Sequence, residues 1–152
     1  MEVSNDQEYD DEYGTCHHTS ACFRIWHVDL EPTDISCRLN LSPSWAHRRG
    51  EPRSSPKGTL LSPYKVGTWA LDTVDVVRSR DLRRHLDWLL DRLEPVRATL
   101  EQLQQDGYST DIFCNWVRLG GSGGPTISPR NMTRLGRLNL ELGFEWWSED
   151  DR

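Results

Sequence analysis

The chain has 152 residues with seven Trp, four Tyr and three Phe, so one domain can bury a sizeable core without disulfide or metal staples although only 36% of residues are hydrophobic. Its net charge is -6, but Glu2, Asp6, Glu8, Asp10, Asp11 and Glu12 crowd the first 14 residues, and the remainder balances at 18 acidic against 18 basic. A balanced domain has no nucleic-acid footprint as a whole, and no window approaches the roughly 18 apolar residues of a membrane span.

Residues 1–19 read as an acidic tail. Charge of one sign with little apolar area does not offset the entropy of ordering, and disorder is expected there. From Ser20 the pattern changes. Ala21, Phe23 and Ile25 alternate with Cys22, Arg24, Trp26 and Val28, the period of two that a strand imposes. Asp29-Leu30-Glu31-Pro32-Thr33 then opens a short helix, where a proline in the first turn loses no hydrogen bond. Ile35 and Leu39 share one face of it, and Pro43 ends the segment.

Residues 42–68, rich in Pro, Gly and Ser, read as a loop. It holds a basic patch of His47, Arg48, Arg49, Arg53 and Lys57, with Trp45 beside it. A second strand follows over residues 68–74 and extends toward Val76 and Val77. Leu82, Leu86, Leu89, Leu93, Val96, Leu100 and Leu103 then recur at alternating steps of four and three. They predict a helix over 80–105, capped by Ser79 with Asp81 in its first turn, kinked at Pro95 and stopped at Gly107. The spacing alone also suits a coiled coil between two copies. Trp88 and Leu90 widen the stripe beyond a narrow seam and favour packing on a sheet.

A third strand runs from Asp111 to Leu119, with apolar residues on both faces. After a glycine-rich turn, Ser128 caps a helix with Pro129 at its first position and Met132, Leu135 and Leu138 turned inward. Residues 140–146 alternate as a last strand. The order β-α-β-α-β-α-β predicts an α+β fold: a mixed or antiparallel sheet of about four strands with helices packed on one face. The domain is expected over residues 20–147, with 148–152 as a short acidic C-terminal tail.

Asp29-Leu30-Glu31-Pro32, Leu41-Ser42-Pro43, Arg49-Gly50-Glu51 and Gly67-Thr68-Trp69 occur in that order. His85-Leu86-Asp87-Trp88-Leu89, Leu93-Glu94-Pro95, Phe113-Cys114-Asn115-Trp116 and Gly123-Gly124-Pro125-Thr126-Ile127-Ser128-Pro129 follow. In this punctuation the chain resembles the bacterial family known as domain of unknown function 4279, over roughly residues 20–147. The resemblance carries no activity over to the chain. Small bacterial families of this kind often serve as immunity or interaction proteins, an analogy only.

Gly120-Gly121-Ser122-Gly123-Gly124 matches the G-x-S-x-G elbow of hydrolases, which place their His base after the serine. Here His17, His18, His27, His47 and His85 all precede Ser122, and Pro125 prevents a helix from starting directly behind it, so hydrolysis is not expected. The same glycines allow a backbone cradle for an anion, or a plain connection between elements. Cys16, His17, His18, Cys22 and His27 are zinc-ligand types without a zinc spacing, so no metal or cofactor is expected. Cys16, Cys22, Cys37 and Cys114 lack CxxC spacing, which favours reduced thiols and a cytoplasmic location. Trp69, Trp88, Trp116 and Trp146 suit a core, leaving Trp45 and Trp147 as the exposed rings. Asp87 and Asp91, with Arg83 four residues before Asp87, read as a solvated helix face.

No acid, base and nucleophile align, so the sequence reads as a non-enzymatic bacterial cytoplasmic protein that acts by protein–protein binding, immunity-type or regulatory. Its acidic tail suits a basic protein partner, and neither a membrane nor nucleic acid is expected. The alternative is a small-ligand or anion-binding module on the Gly120–Gly124 loop. The candidate surface comprises Trp45, Arg48, Arg49, Asn115, Gly121, Ser122, Gly123 and Gly124, with no catalytic residue.

Overall fold

Alternating burial sets the frame. The computed structural model describes residues 7–151. In strand β1, Cys16–His27, Ala21, Phe23 and Ile25 are buried on one face while Cys22, Arg24 and Trp26 fall on the other. Helix α1, Pro32–Leu39, starts on its proline, buries Ile35 and Leu39, and ends at Asn40 in the left-handed region (φ 53°). Strand β2 (Trp45–His47), a small ribbon of β3 (Arg53–Ser54) and β4 (Leu60–Leu61), and strand β5 (Gly67–Asp72) come next. Helix α2 (Leu82–Leu93) and helix α3 (Arg97–Gln105) are separated by a 3-10 turn at Glu94–Val96, where Pro95 lacks the N–H a continuous helix needs. Strand β6 (Ser109–Arg118), helix α4 (Pro129–Arg137) and strand β7 (Glu141–Ser148) complete the fold.

The sheet order is β2-β5-β1-β6-β7. All neighbours are antiparallel except β6 and β7, which are joined through α4 as a parallel pair requires. The sheet is therefore mixed, and the helices cover one face. Phe23, Ile25, Trp69, Ile112, Cys114 and Trp116 meet Leu86, Leu89, Leu90, Leu93, Leu100 and Leu103 there in one continuous core. The leucine stripe thus lies on its own sheet. Gly67 lets β5 pass Leu30 closely: a Cβ there would stand 2.6 Å from the Leu30 carbonyl oxygen. No helix among the described residues is long and apolar enough to cross a membrane.

Several local expectations are corrected. The 42–68 segment contains an edge strand, β2, because Trp45, Ala46 and His47 find the free edge of β5; three residues are too few to show a period. The first strand starts at Cys16, and residues 7–15 are docked rather than loose. The Tyr9 hydroxyl donates to Asp87 Oδ2 at 2.6 Å, the Asp10 N–H donates to Asp81 at 2.8 Å, and the Tyr13 ring packs edge-on against Trp116 at 5.6 Å. Two tyrosines supply the anchoring area that the charge count concealed. The expected disorder of residues 1–6 lies outside the described residues.

Asp81, not Ser79, caps α2: its carboxylate accepts from the Arg83 N–H, while Ser79 Oγ accepts from the Asp81 N–H. In α4, Met132 points to solvent, and Asn131, Arg134 and Leu135 are the buried positions. β7 reaches Ser148 and passes into a 3-10 turn at Glu149–Asp151 where a tail was expected.

Candidate functional site

Two polar constellations stand out, and the first holds the fold together. Asp87 on α2 is only 3% exposed. It accepts from Asn131 Nδ2 at 2.8 Å, Arg134 Nη1 at 2.8 Å, the Tyr9 hydroxyl and Gln7 Nε2 at 3.2 Å. Arg134 also donates to Asp91 and Glu94, each at 2.6 Å. Ser128 and Asn131 cap α4 reciprocally, and Ser128 Oγ donates to Gln7 Oε1 at 2.6 Å. Every strong donor or acceptor here is satisfied from within the chain, joining α2, α4 and the leader. The solvated helix face expected for Asp87 is instead a buried junction, since α4 packs over it.

His85 is equally enclosed. Its Nε2–H donates to the Ser79 carbonyl at 2.8 Å, so Nδ1 accepts from the Thr73 hydroxyl at 2.6 Å. Burial holds its pKa below the ordinary histidine value, and the ring is neutral.

The second constellation lies on the helix-free face of the sheet. Strand register places Trp45 of β2, Cys22, Arg24 and Trp26 of β1, Asp111, Phe113 and Asn115 of β6, and Gly143 and Trp147 of β7 on that face. Arg24 grips Asp111 in a bidentate pair (2.9 and 2.6 Å), and its guanidinium lies 4.5 Å from the Phe113 ring centre and 5.5 Å from that of Trp26. The Asp111 hydrogen bonds hold the Arg24 pKa above its ordinary value, fixing the charge. Phe113 lies over Gly143, where a Cβ would stand 3.2 Å from its ring. Trp45 and Trp147 remain 43% and 42% exposed at the two ends of the row. At the β2 edge, Trp45, His47, Tyr64 and Arg53 form a ladder, with His47 and Tyr64 stacked at 3.4 Å.

The sequence candidates separate into three places. Trp45 and Asn115 share the open face, and Asn115 Oδ1 is buried there without a hydrogen-bond partner. Arg48 and Arg49 sit beyond one end of the sheet. Arg48 pairs with Glu31 at 2.6 Å and Glu51 at 3.7 Å, and Arg49 pairs with Asp29 at 3.5 Å, so this part of the basic patch is neutralised locally. Gly121, Ser122, Gly123 and Gly124 lie beyond the other end, past the ten residues of β6, roughly 30 Å away at about 3.3 Å per residue. The structure does not bring the loop and the two arginines together.

Gly120 and Gly123 have φ of 78° and 102°, and a Cβ on Gly123 would meet the Thr15 side chain at 2.4 Å. These demands account for both glycines without a ligand. The cysteine and histidine positions of β1 are strung along an extended strand, and among the described residues no three potential ligands gather to hold a metal ion.

Arg24, Trp26, Asp111 and Phe113 were missed as surface residues, although the alternation along β1 carried the signal. Trp146 is also on the surface, 55% exposed at the outer edge of β7, where a core position was expected. Edge strands have no neighbour to bury their rings.

These features define an α+β protein with one face of its sheet sealed by helices and the other left open as an aromatic surface. The chain belongs to the family described as Domain of unknown function (DUF4279), whose family model matches residues 15–149. No curated protein and no solved structure matches it.

Proposed function

We propose that this protein acts by binding another protein through the open face of its sheet, in an immunity-type or regulatory role. The observation that supports it is the row Trp45, Trp26, Phe113 and Trp147, which crosses the sheet from β2 to β7 on the side without helices. Aromatic side chains gathered on an accessible face are what partner surfaces are made of. Rigid support comes from below, because each ring stands on a strand whose opposite face is packed in the core.

Charge complements shape. Asp72, Glu141 and Glu145 share this face by register, while Arg24 is already balanced by Asp111. The surface is net acidic and suits a basic partner. The leader is the poorer acidic surface, since Asp11 is held by Arg84 at 2.8 Å and by Ser79. A small protein covering part of a larger one is the form of action that an immunity-type or regulatory role requires.

The test is site-specific photo-crosslinking in the native host, with the reactive group at position 113 or, as a control on the helix side, at Met132. One defined protein should be captured from position 113 only. Once that protein is purified, Trp45→Ala and Trp147→Ala should each weaken binding by about tenfold or more. Capture from the Met132 position alone, or affinity unmoved in the double variant, overturns the reading.

A further inference from the structure

The open face ends in a cleft. Where β1 finishes and β6 begins, a hollow of about 610 Å³ is lined by Trp26, Gln104, Tyr108, Thr110, Asn139 and Glu141, among others. Trp26 also borders a smaller hollow of about 250 Å³ shared with Arg24 and Trp45, so the cleft continues the aromatic row. From this geometry we infer that the cleft receives the guanidinium of an arginine side chain from the bound partner. The inference rests on the face-binding reading and names the chemistry that the face selects.

Charge, acceptors and rings in the lining agree. Glu141 is its only charged residue, with no Lys or Arg in the lining. The neighbouring Arg24 is cancelled by its bidentate pair with Asp111, leaving one net negative charge.

The polar groups offer acceptors. Gln104 Nε2 donates to Thr110 Oγ1 at 3.0 Å, to the Leu138 carbonyl at 3.1 Å and to that of Asn139 at 3.4 Å, which leaves the amide oxygen as its free group. Trp26 and Tyr108 bring aromatic rings to the lining, Tyr108 held against His27 at 4.8 Å and Trp26 with the Arg24 guanidinium 5.5 Å from its ring centre. Flat rings beside a carboxylate suit a planar, weakly hydrated cation better than a compact ammonium. A sugar could stack on the rings and donate hydroxyls to Glu141, but brings no positive charge to balance it.

The test titrates the isotope-labelled full chain with N-acetyl-arginine amide, following the indole N–H resonance of Trp26. N-acetyl-citrulline amide has the same shape without the charge, and methyl glucoside serves as the sugar arm. A saturable shift is expected with the arginine probe, weaker by about tenfold with the citrulline probe, and reduced to a similar extent by Glu141→Gln. Glu141 is exposed, so that variant leaves the fold intact. No saturable shift at Trp26, an equal response to citrulline, or preference for the glucoside overturns the inference.

The two readings fail separately. A partner that binds Glu141→Gln as well as wild type, yet loses affinity with Trp45→Ala and Trp147→Ala, removes the cleft and keeps the face. A captured partner indifferent to all three removes the face reading, and the partner's arginine with it.

Discussion

Arg134 Nη1 lies 2.8 Å from Asp87 Oδ1, and both side chains are more than nine-tenths buried between α2 and α4. Removing Asp87 leaves Arg134 its Asp91 and Glu94 partners but takes the acceptor from Asn131 Nδ2 and the Tyr9 hydroxyl as well. Asp87→Ala should cost about 3–5 kcal/mol of stability in urea denaturation. Asp91→Ala removes the more exposed partner of the same arginine and should cost under about 1 kcal/mol. Equal losses would mean that burial does not set the energetics here.

A chain begun at Gly14 should be less stable by more than about 3 kcal/mol, because it takes away the Tyr9 hydroxyl and Gln7 amide from Asp87 and uncovers Trp116. Its tryptophan fluorescence should become easier to quench with iodide. Tyr9→Phe alone should cost about 1.5–3 kcal/mol, since burial and Asp87 push the phenol up to about 12 and keep it a hydrogen-bond donor to a charge. Unchanged stability in both would restore the picture of a loose tail.

His85 should make the protein acid-sensitive. Burial lowers its folded pKa, so below about pH 6.5 the unfolded chain takes up a proton that the folded chain refuses. Stability is complete above that pH and falls as the pH drops toward the folded value, by up to about 1.4 kcal/mol per pH unit. His47, also depressed by burial, adds in the same direction. Asp11 and Asp81, held low in the folded state, lose their contributions only at more acidic pH, so the histidine window stands apart. His85→Gln should flatten the pH dependence of the denaturation midpoint below about pH 6.5.

Two glycines should respond oppositely to alanine. Gly67→Ala drives a methyl group into Leu30 and should destabilise by about 1–3 kcal/mol. Gly136→Ala, within α4 and facing open space, should stabilise by about 0.5–1 kcal/mol. Thermal melts of the two variants check both signs.

The thiols should differ sharply in reactivity. All four are free, and Cys37 is exposed. Burial pushes Cys16 up to about 11 and Cys22 up to about 12, and raises Cys114 as well. At about pH 8, one thiol per chain should react rapidly with a disulfide reagent, and Cys37→Ser should abolish that phase. Rapid reaction of two or more would contradict the packing of β1 and β6.

Much of the fold was legible. Pro32 and Pro129 marked helix starts, Pro95 marked the break between α2 and α3, and the alternation in Ala21, Phe23 and Ile25 marked a strand. The exposure of Trp45 and Trp147 was also readable. The site was less so. Arg24 and Trp26 were seen as strand residues, but which face the helices would cover depended on Leu86, Leu89 and Leu90, sixty or more residues away.

Local chemistry along the chain determined where elements begin, end and turn their apolar side, because those preferences act over two to four residues. Only the tertiary structure decided that Asp87 is enclosed, that Trp45 to His47 completes an edge, that the leader is anchored, and that Trp26, Phe113 and Glu141 stand together. Each of those outcomes joins groups far apart in the chain, such as Asp87 with Asn131 44 residues on and Tyr9 78 residues back, and no short-range periodicity records which distant partners packing will bring into contact.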